Sequence, residues 1–282
     1  LSFLESQESG SSIGKVRLPA RAVRAQERQR WAKALRATAA AALVFLAVSA
    51  GALMAHTRAV RARFLMVPAD TIPNDPELMR FAMSRGESAY AEHCASCHGA
   101  HLQGDPKWGI PGLADNDWLY GSGRITEIER VVLYGIRSGN SKGWDLAHMP
   151  AFASPHPYNL YAIAPLGPDA IADVTTYILS FQHPQSDVAA VERGSRIFRD
   201  PSRGNCVDCH GPDGKGDSAI GAPDLTDAIW LSGDGSRQSI EDTVAHGLAG
   251  HCPAWVTRLS PATIRAVAVY VHAVSAGRTK LE

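Results

Sequence analysis

The chain has 282 residues, enough for about two ordinary domains, and its 28 basic and 28 acidic side chains leave no formal net charge. A neutral chain that is 45% hydrophobic and 20% charged is neither a basic nucleic-acid binder nor a highly charged disordered polymer. Only one stretch is long and apolar enough to cross a bilayer, which argues against a multi-span membrane protein, and the 42 Gly and Pro residues predict a loop-rich folded part.

Residues 1–36 read as a polar, basic N-terminal segment, with residues 1–16 expected to be poorly ordered. From Ala37 to Thr57 there is no Lys, Arg, Asp or Glu. A helix of that length at 1.5 Å per residue spans about 30 Å, one hydrocarbon core, so residues 37–57 are expected to form a transmembrane helix. A buried Ala-rich helix and a secretory signal peptide share this composition, and Ala50, Gly51 and Ala52 would suit a cleavage site. Arg17, Arg21, Arg24, Arg28, Arg30, Lys33 and Arg36 precede the stretch, whereas Arg58, Arg61 and Arg63 follow it. By the positive-inside rule the N-terminus is expected in the cytoplasm and the C-terminal body outside it, in the periplasm of a bacterial inner membrane. Residues 58–75 are expected to be a linker.

The remainder is an internal repeat. A shift of 112 residues lays CASCHGAHLQGDPKWGIPGLADNDWLYGSG, from Cys94, over CVDCHGPDGKGDSAIGAPDLTDAIWLSGDG, from Cys206, without a gap. After nine extra residues in the first copy, His148-Met149-Pro150-Ala151-Phe152 lies over His251-Cys252-Pro253-Ala254-Trp255. Two copies make two similar domains, 76–182 and 189–282, joined by a linker at 183–188; a solenoid would need more copies. In each, a helix leads into the shared motif (around Pro76 to Cys94 and Ala189 to Phe198) and a Gly/Pro-rich loop follows. A short helix then stops near Gly135 or Gly247, a second loop carries Met149 or Cys252, and a last amphipathic helix starts at Pro168 or Pro261. Ile171, Val174, Ile178 and Phe181, and then Ile264, Val267, Val271 and Val274, give the last helices their apolar faces. Strand signals are almost absent, so the expected fold is all-α.

Four of the five cysteines fall in two C-x-x-C-H motifs, Cys94-Cys97-His98 and Cys206-Cys209-His210. This spacing attaches haem c: two thiols form thioethers with the vinyl groups and the adjacent His ligates the iron. A thiol redox pair or disulfide leaves the repeated His unexplained, and zinc would need the two pairs to converge. Two covalently bound haem c groups are therefore expected, with His98 and His210 proximal. Met149 has the chemistry and loop position of a distal ligand to the first haem. At the second, the aligned residue is Cys252, and four readings stay open: thiolate ligation, ligation by the neighbouring His251, an open five-coordinate iron, or a small buried hydrophobe. His148 reads as a neighbour of Met149, His246 as helix surface, and His93, His101 and His272 as solvated or structural. Trp118 and Trp230 are expected to pack on the haem or its loop. Arg137 is a candidate partner for a haem propionate.

These motifs, with YGIRSG, MPAF and PAWVTRLSPATIRAVAVYVHAV, closely resemble the two haem domains of subunit III of cbb3-type cytochrome c oxidases, the CcoP/FixP family. The resemblance covers roughly residues 80–275. It implies a membrane-anchored dihaem cytochrome that accepts electrons from a soluble cytochrome or a bc1-type complex and passes them to the other oxidase subunits. It also implies haem attachment by Cys94, Cys97, Cys206 and Cys209, with His98 and His210 proximal and Met149 distal. The chain departs from the family at Cys252, where the pattern has Met, and in lacking a Trp-rich approach to the membrane span. The latter leaves room for a second reading, a dihaem cytochrome serving a periplasmic dehydrogenase or another respiratory complex. A dihaem peroxidase or gas sensor is a third class, requiring one open haem. No acid/base or nucleophile constellation for substrate chemistry is evident.

Overall fold

The structure is a computed structural model that describes residues 20–115, 117–157 and 163–277. The expected polar start of the chain and Arg17 lie outside the described residues. Two compact units divide at Ala59/Val60. The first is a helical stem belonging to α1 (Ala20–Met66). It holds an apolar stretch long enough to cross a membrane, none of it buried by protein, and Leu43, Phe45, Leu46 and Leu53 are exposed.

The second unit begins with the last two turns of that helix, from Val60. The segment expected as a linker at 58–75 is instead structured: α1 runs on to Met66, a 3-10 turn covers Ala69–Asn74, and Val60, Phe64, Ala69 and Ile72 are buried. Two forces hold it there. Phe64 packs edge-on against Phe81 at 5.1 Å, and Arg265 takes over the unpaired carbonyls of the helix end. The Arg265 guanidinium donates to Phe64 and Leu65 oxygens at 3.0 Å and to Val67 oxygen at 3.1 Å, while its Nε donates to Glu129 at 3.1 Å.

The other helices fall where periodicity and end signals put them: α2 (Pro76–His93), α3 (Ala95–His98), α4 (Ile125–Tyr134), α5 (Pro168–Ser180), α6 (Val188–Arg199), α7 (Val207–His210), α8 (Arg237–His246) and α9 (Pro261–Ser275). Asp75, Asp187, Ser236 and Ser260 accept N-terminal amide bonds as side-chain caps. Pro opens α2, α5 and α9, where its missing N–H costs nothing. Gly135 and Gly247 stop α4 and α8 in the left-handed half of backbone space, at φ 74° and 71°. Among the described residues no strand forms; sheet-like pairing is limited to isolated bridges.

The pairing of these helices departs from the sequence repeat. Each copy was expected to close on its own last helix. Instead α9 packs against α2 and α4, while α5 packs against α6 and α8. The two cores follow that exchange. One combines Leu78, Tyr90 and Ile128 with Val267, Tyr270 and Val274; the other combines Ile171, Val174 and Tyr177 with Phe198, Ile240 and Val244. Equivalent contacts recur in both: Tyr90 meets Tyr270 at 5.5 Å and Phe198 meets Tyr177 at 5.3 Å. Gly86 and Gly194 allow the close helix crossings, facing Ala266 and Tyr270 in one case and Asp173 and Tyr177 in the other. The boundaries 76–182 and 189–282 thus mark sequence repeats, and each folded half borrows its closing helix from the other.

Candidate haem-binding site

Each C-x-x-C-H motif winds into one short helix, α3 or α7, ended by a glycine directly after the His. That turn puts both sulfurs and the imidazole at the wall of one cavity of about 1130 Å³, which all six motif residues line. His98 Nδ1 lies 3.1 Å from Pro111 oxygen, and His210 Nδ1 lies 3.1 Å from Pro223 oxygen. A carbonyl can only accept, so Nδ1 carries the proton and donates, and Nε2 keeps its lone pair for a metal. Burial lowers the pKa of both imidazoles, against the smaller opposing pull of the proline carbonyls, which favours this neutral form. Burial likewise pushes the Cys94 thiol up to about 11 and Cys206 up to about 12. The donor set therefore fits a covalently held, imidazole-ligated iron group.

Met149 and Cys252, expected as distal ligands, lie beside the opposite motifs from those expected. Met149 forms a two-bond bridge with Leu248 just after α8, N to O at 3.0 Å and back at 3.2 Å, and packs in the core containing Cys206, Leu225 and Trp230. Cys252 forms the matching bridge with Ile136 just after α4, at 3.0 and 2.9 Å. Its thiol is pushed up to about 11 by burial and then by Cys97, and Cys94 feels Cys252 in turn. Met149 was expected beside the first motif and Cys252 beside the second; the exchange of closing helices instead carries each loop across, to Leu248 and Ile136 respectively. A second pair of bonds repeats the symmetry, Gly121 N to Ser218 O at 3.0 Å and Gly233 N to Pro106 O at 2.9 Å.

Of the remaining candidates, His251 is exposed beside the half-buried Cys252, and His246 is exposed with Nδ1 2.9 Å from Asp242 oxygen. His148 is half-buried next to Met149, and His101 is exposed. His93 stacks on Trp255 at 5.2 Å, and His272 Nδ1 lies 2.8 Å from Gly123 oxygen. Trp118 and Trp230 border the cavity and press their indole nitrogens on Gly123 and Gly235, as loop-packing residues do. Arg137 does not point to a free site at the surface: its guanidinium donates to Gly250 oxygen and to Ala147 oxygen. Two functional groups escaped the sequence reading, the Pro111 and Pro223 carbonyls. Their signal was present, since each Pro lies 13 residues after its His in both copies.

Comparison with known proteins recognises both copies of the sequence repeat. The family model "Cytochrome c" matches residues 83–182, and the model "Cytochrome C oxidase, cbb3-type, subunit III" matches residues 189–271. The cbb3-type cytochrome c oxidase subunit FixP of Azorhizobium caulinodans is 38% identical over 77% of this chain and 68% of its own length. Subunit CcoP of Cereibacter sphaeroides is 37% identical over 77% and 70%, and CcoP of Azospirillum sp. is 37% identical over 80% and 74%. The chain belongs to the FixP/CcoP family of cbb3-type cytochrome c oxidase subunits. A FixP/CcoP chain with cytochrome c domains is a haem-binding electron-transport protein, in keeping with the C-x-x-C-H motifs at the cavity wall and their carbonyl-bonded imidazoles.

Proposed function

We propose that this chain is the dihaem, membrane-anchored electron-transfer subunit of a cbb3-type oxidase. It takes electrons from a periplasmic donor, a soluble cytochrome or a bc1-type complex, and passes them to the oxidase core. The observation that carries the reading is the pair of C-x-x-C-H helices, each with its imidazole Nδ1 bonded to a proline carbonyl, at the wall of one cavity in a FixP/CcoP chain. A c-type haem supplies a one-electron ferric/ferrous couple when bound.

The protein's own groups do the rest. Cys94 and Cys97, and Cys206 and Cys209, fix two such groups covalently. His98 and His210 would hold the iron through Nε2, their orientation set by the Pro111 and Pro223 carbonyls. Met149 is the distal ligand on the side of His210, and Cys252 on the side of His98; the exposure of His251 beside the half-buried Cys252 supports the thiol over the imidazole. The Met149 thioether favours ferrous iron and a Cys252 thiolate favours ferric, so the two sites differ in potential with the Met149 side higher. The apolar stretch of α1 is the anchor, and the seven-to-three excess of basic residues before it supports a periplasmic body.

The test is purification from membranes in mild detergent, with acid–acetone extraction of the haem. The reading expects two porphyrins per chain that resist extraction and a haem–copper core that travels with the chain. Loss of porphyrin on extraction, or isolation with a dehydrogenase in place of that core, overturns it.

A further inference from the structure

Among the described residues, Arg137 is the one side chain that hydrogen-bonds to both distal loops. It follows the Gly135 stop of α4 in the left-handed region, at φ 48°, a conformation that costs a non-glycine residue about 1 kcal/mol or more and persists only where the surroundings impose it. Its amide donates to Trp144 oxygen at 2.8 Å, which aims the side chain between the loops. There Nε donates to Gly250 oxygen at 2.5 Å and Nη1 donates to Ala147 oxygen at 2.8 Å. Gly250 lies two residues before Cys252, and Ala147 lies two residues before Met149. The guanidinium is half-buried at the cavity wall, and both bonds are to neutral carbonyls.

The repeat sharpens the point. Each distal loop has its own bridge, Met149 to Leu248 and Cys252 to Ile136, related by the internal symmetry. The residue that corresponds to Arg137 in the second copy is Ala249, which has no donor to offer. The tie is therefore single and shared. A planar guanidinium can hold two carbonyls at fixed angles; an ammonium is a point charge on a flexible stem and cannot reproduce that fork.

We propose that Arg137 is a positioning residue that locks the Met149 and Cys252 loops in one register, so that the two distal positions respond together to a change at this single side chain. The inference rests on the reading that both loops supply distal ligands. Its guanidinium also places one fixed positive charge beside both sites, which favours the reduced form at each.

The experiment uses the full chain purified with its haem, as wild type, Arg137→Lys and Arg137→Gln, with Lys142→Gln as a surface-charge control. Redox titration and low-temperature EPR read each iron site separately. In Arg137→Gln both ferric signals are expected to change, and the reduced-to-oxidised ratio at a fixed potential to fall at both sites by roughly threefold to tenfold, a tenfold change being about 59 mV for one electron. Arg137→Lys keeps the charge and loses the fork, so its potentials stay nearer wild type while both ferric signals still change; it carries the test if the Gln variant does not fold. Lys142→Gln leaves both sites as they were. A variant in which only one site responds, or neither, overturns the inference with the haem reading intact. Wild-type protein without extraction-resistant haem overturns both.

Discussion

Gly86→Ala probes the helix exchange through sterics alone. A Cβ on Gly86 would lie 2.7 Å from Tyr270 Cβ and 2.8 Å from the Ala266 carbonyl carbon, with the Ala266 oxygen closer still. Carbon atoms settle at about 3.5–4.0 Å, so α2 and α9 must part by most of an ångström. Their contact is backbone on one side, so no side chain can swing away. Overpacking of this kind costs about 1–3 kcal/mol, and Ala returns up to about 1 kcal/mol in helix propensity. The net loss is about 1–2 kcal/mol, or roughly 2–8 °C in melting temperature for a body of this size. Gly51→Ala, in the stem with nothing within 4 Å, should lose nothing. Scanning calorimetry of the detergent-solubilised haem protein measures both. The EPR signal of the site beside Cys252 should broaden in Gly86→Ala while that beside Met149 stays sharp, because α9 closes the first half. A variant as stable as wild type, or one that disturbs only the Met149 side, refutes the packing argument.

Three further outcomes follow from particular contacts. Arg265→Ala strands three carbonyls at the end of α1 and leaves Glu129, only 14% exposed, without its cation; a loss of about 3–5 kcal/mol is expected by urea unfolding, and one below about 1 kcal/mol would show that the cap is ornamental. Cys252→Met should raise the potential of the site on the His98 side by on the order of 0.1–0.3 V, within the roughly 0.8 V that axial ligands span, and leave the other unchanged in a redox titration; an unmoved potential removes the thiolate. At Glu127, burial raises the pKa, but hydrogen bonds from Arg124 and Ser122 outweigh it and hold the carboxyl at about 2 against an ordinary 4.5. A depressed carboxylate stabilises the fold above 4.5 and loses that effect as pH falls toward 2. Glu127→Gln should therefore cost about 1 kcal/mol at neutral pH, a gap that closes in acid; a gap independent of pH would contradict the assignment.

Helix positions were legible because local chemistry writes them: Pro168 and Pro261 in first turns, Gly135 and Gly247 as stops. The haem motifs were legible because two cysteines and a histidine at fixed spacing serve one chemistry. The exchange of closing helices was not, for the reason that makes it stable. α5 and α9 derive from one repeated segment and carry the same apolar face, so either pairing buries the same surface, and periodicity cannot choose between them. A signal did exist in the connection. Only residues 181–187 separate α5 from α6, and so short a loop favours antiparallel neighbours, which pulls α5 into the second half and leaves α9 to close the first. The burial of Phe64 and the Arg265 cap depend on contacts about 200 residues apart, beyond any local pattern.

The crossed assignment of distal loops can be tested by removing one attachment site. In Cys206→Ser/Cys209→Ser protein a single haem should remain, on Cys94 and Cys97, and the ferric charge-transfer band of a methionine-ligated iron should vanish although Met149 is intact. Survival of that band on the remaining haem would place Met149 with His98 and contradict the account.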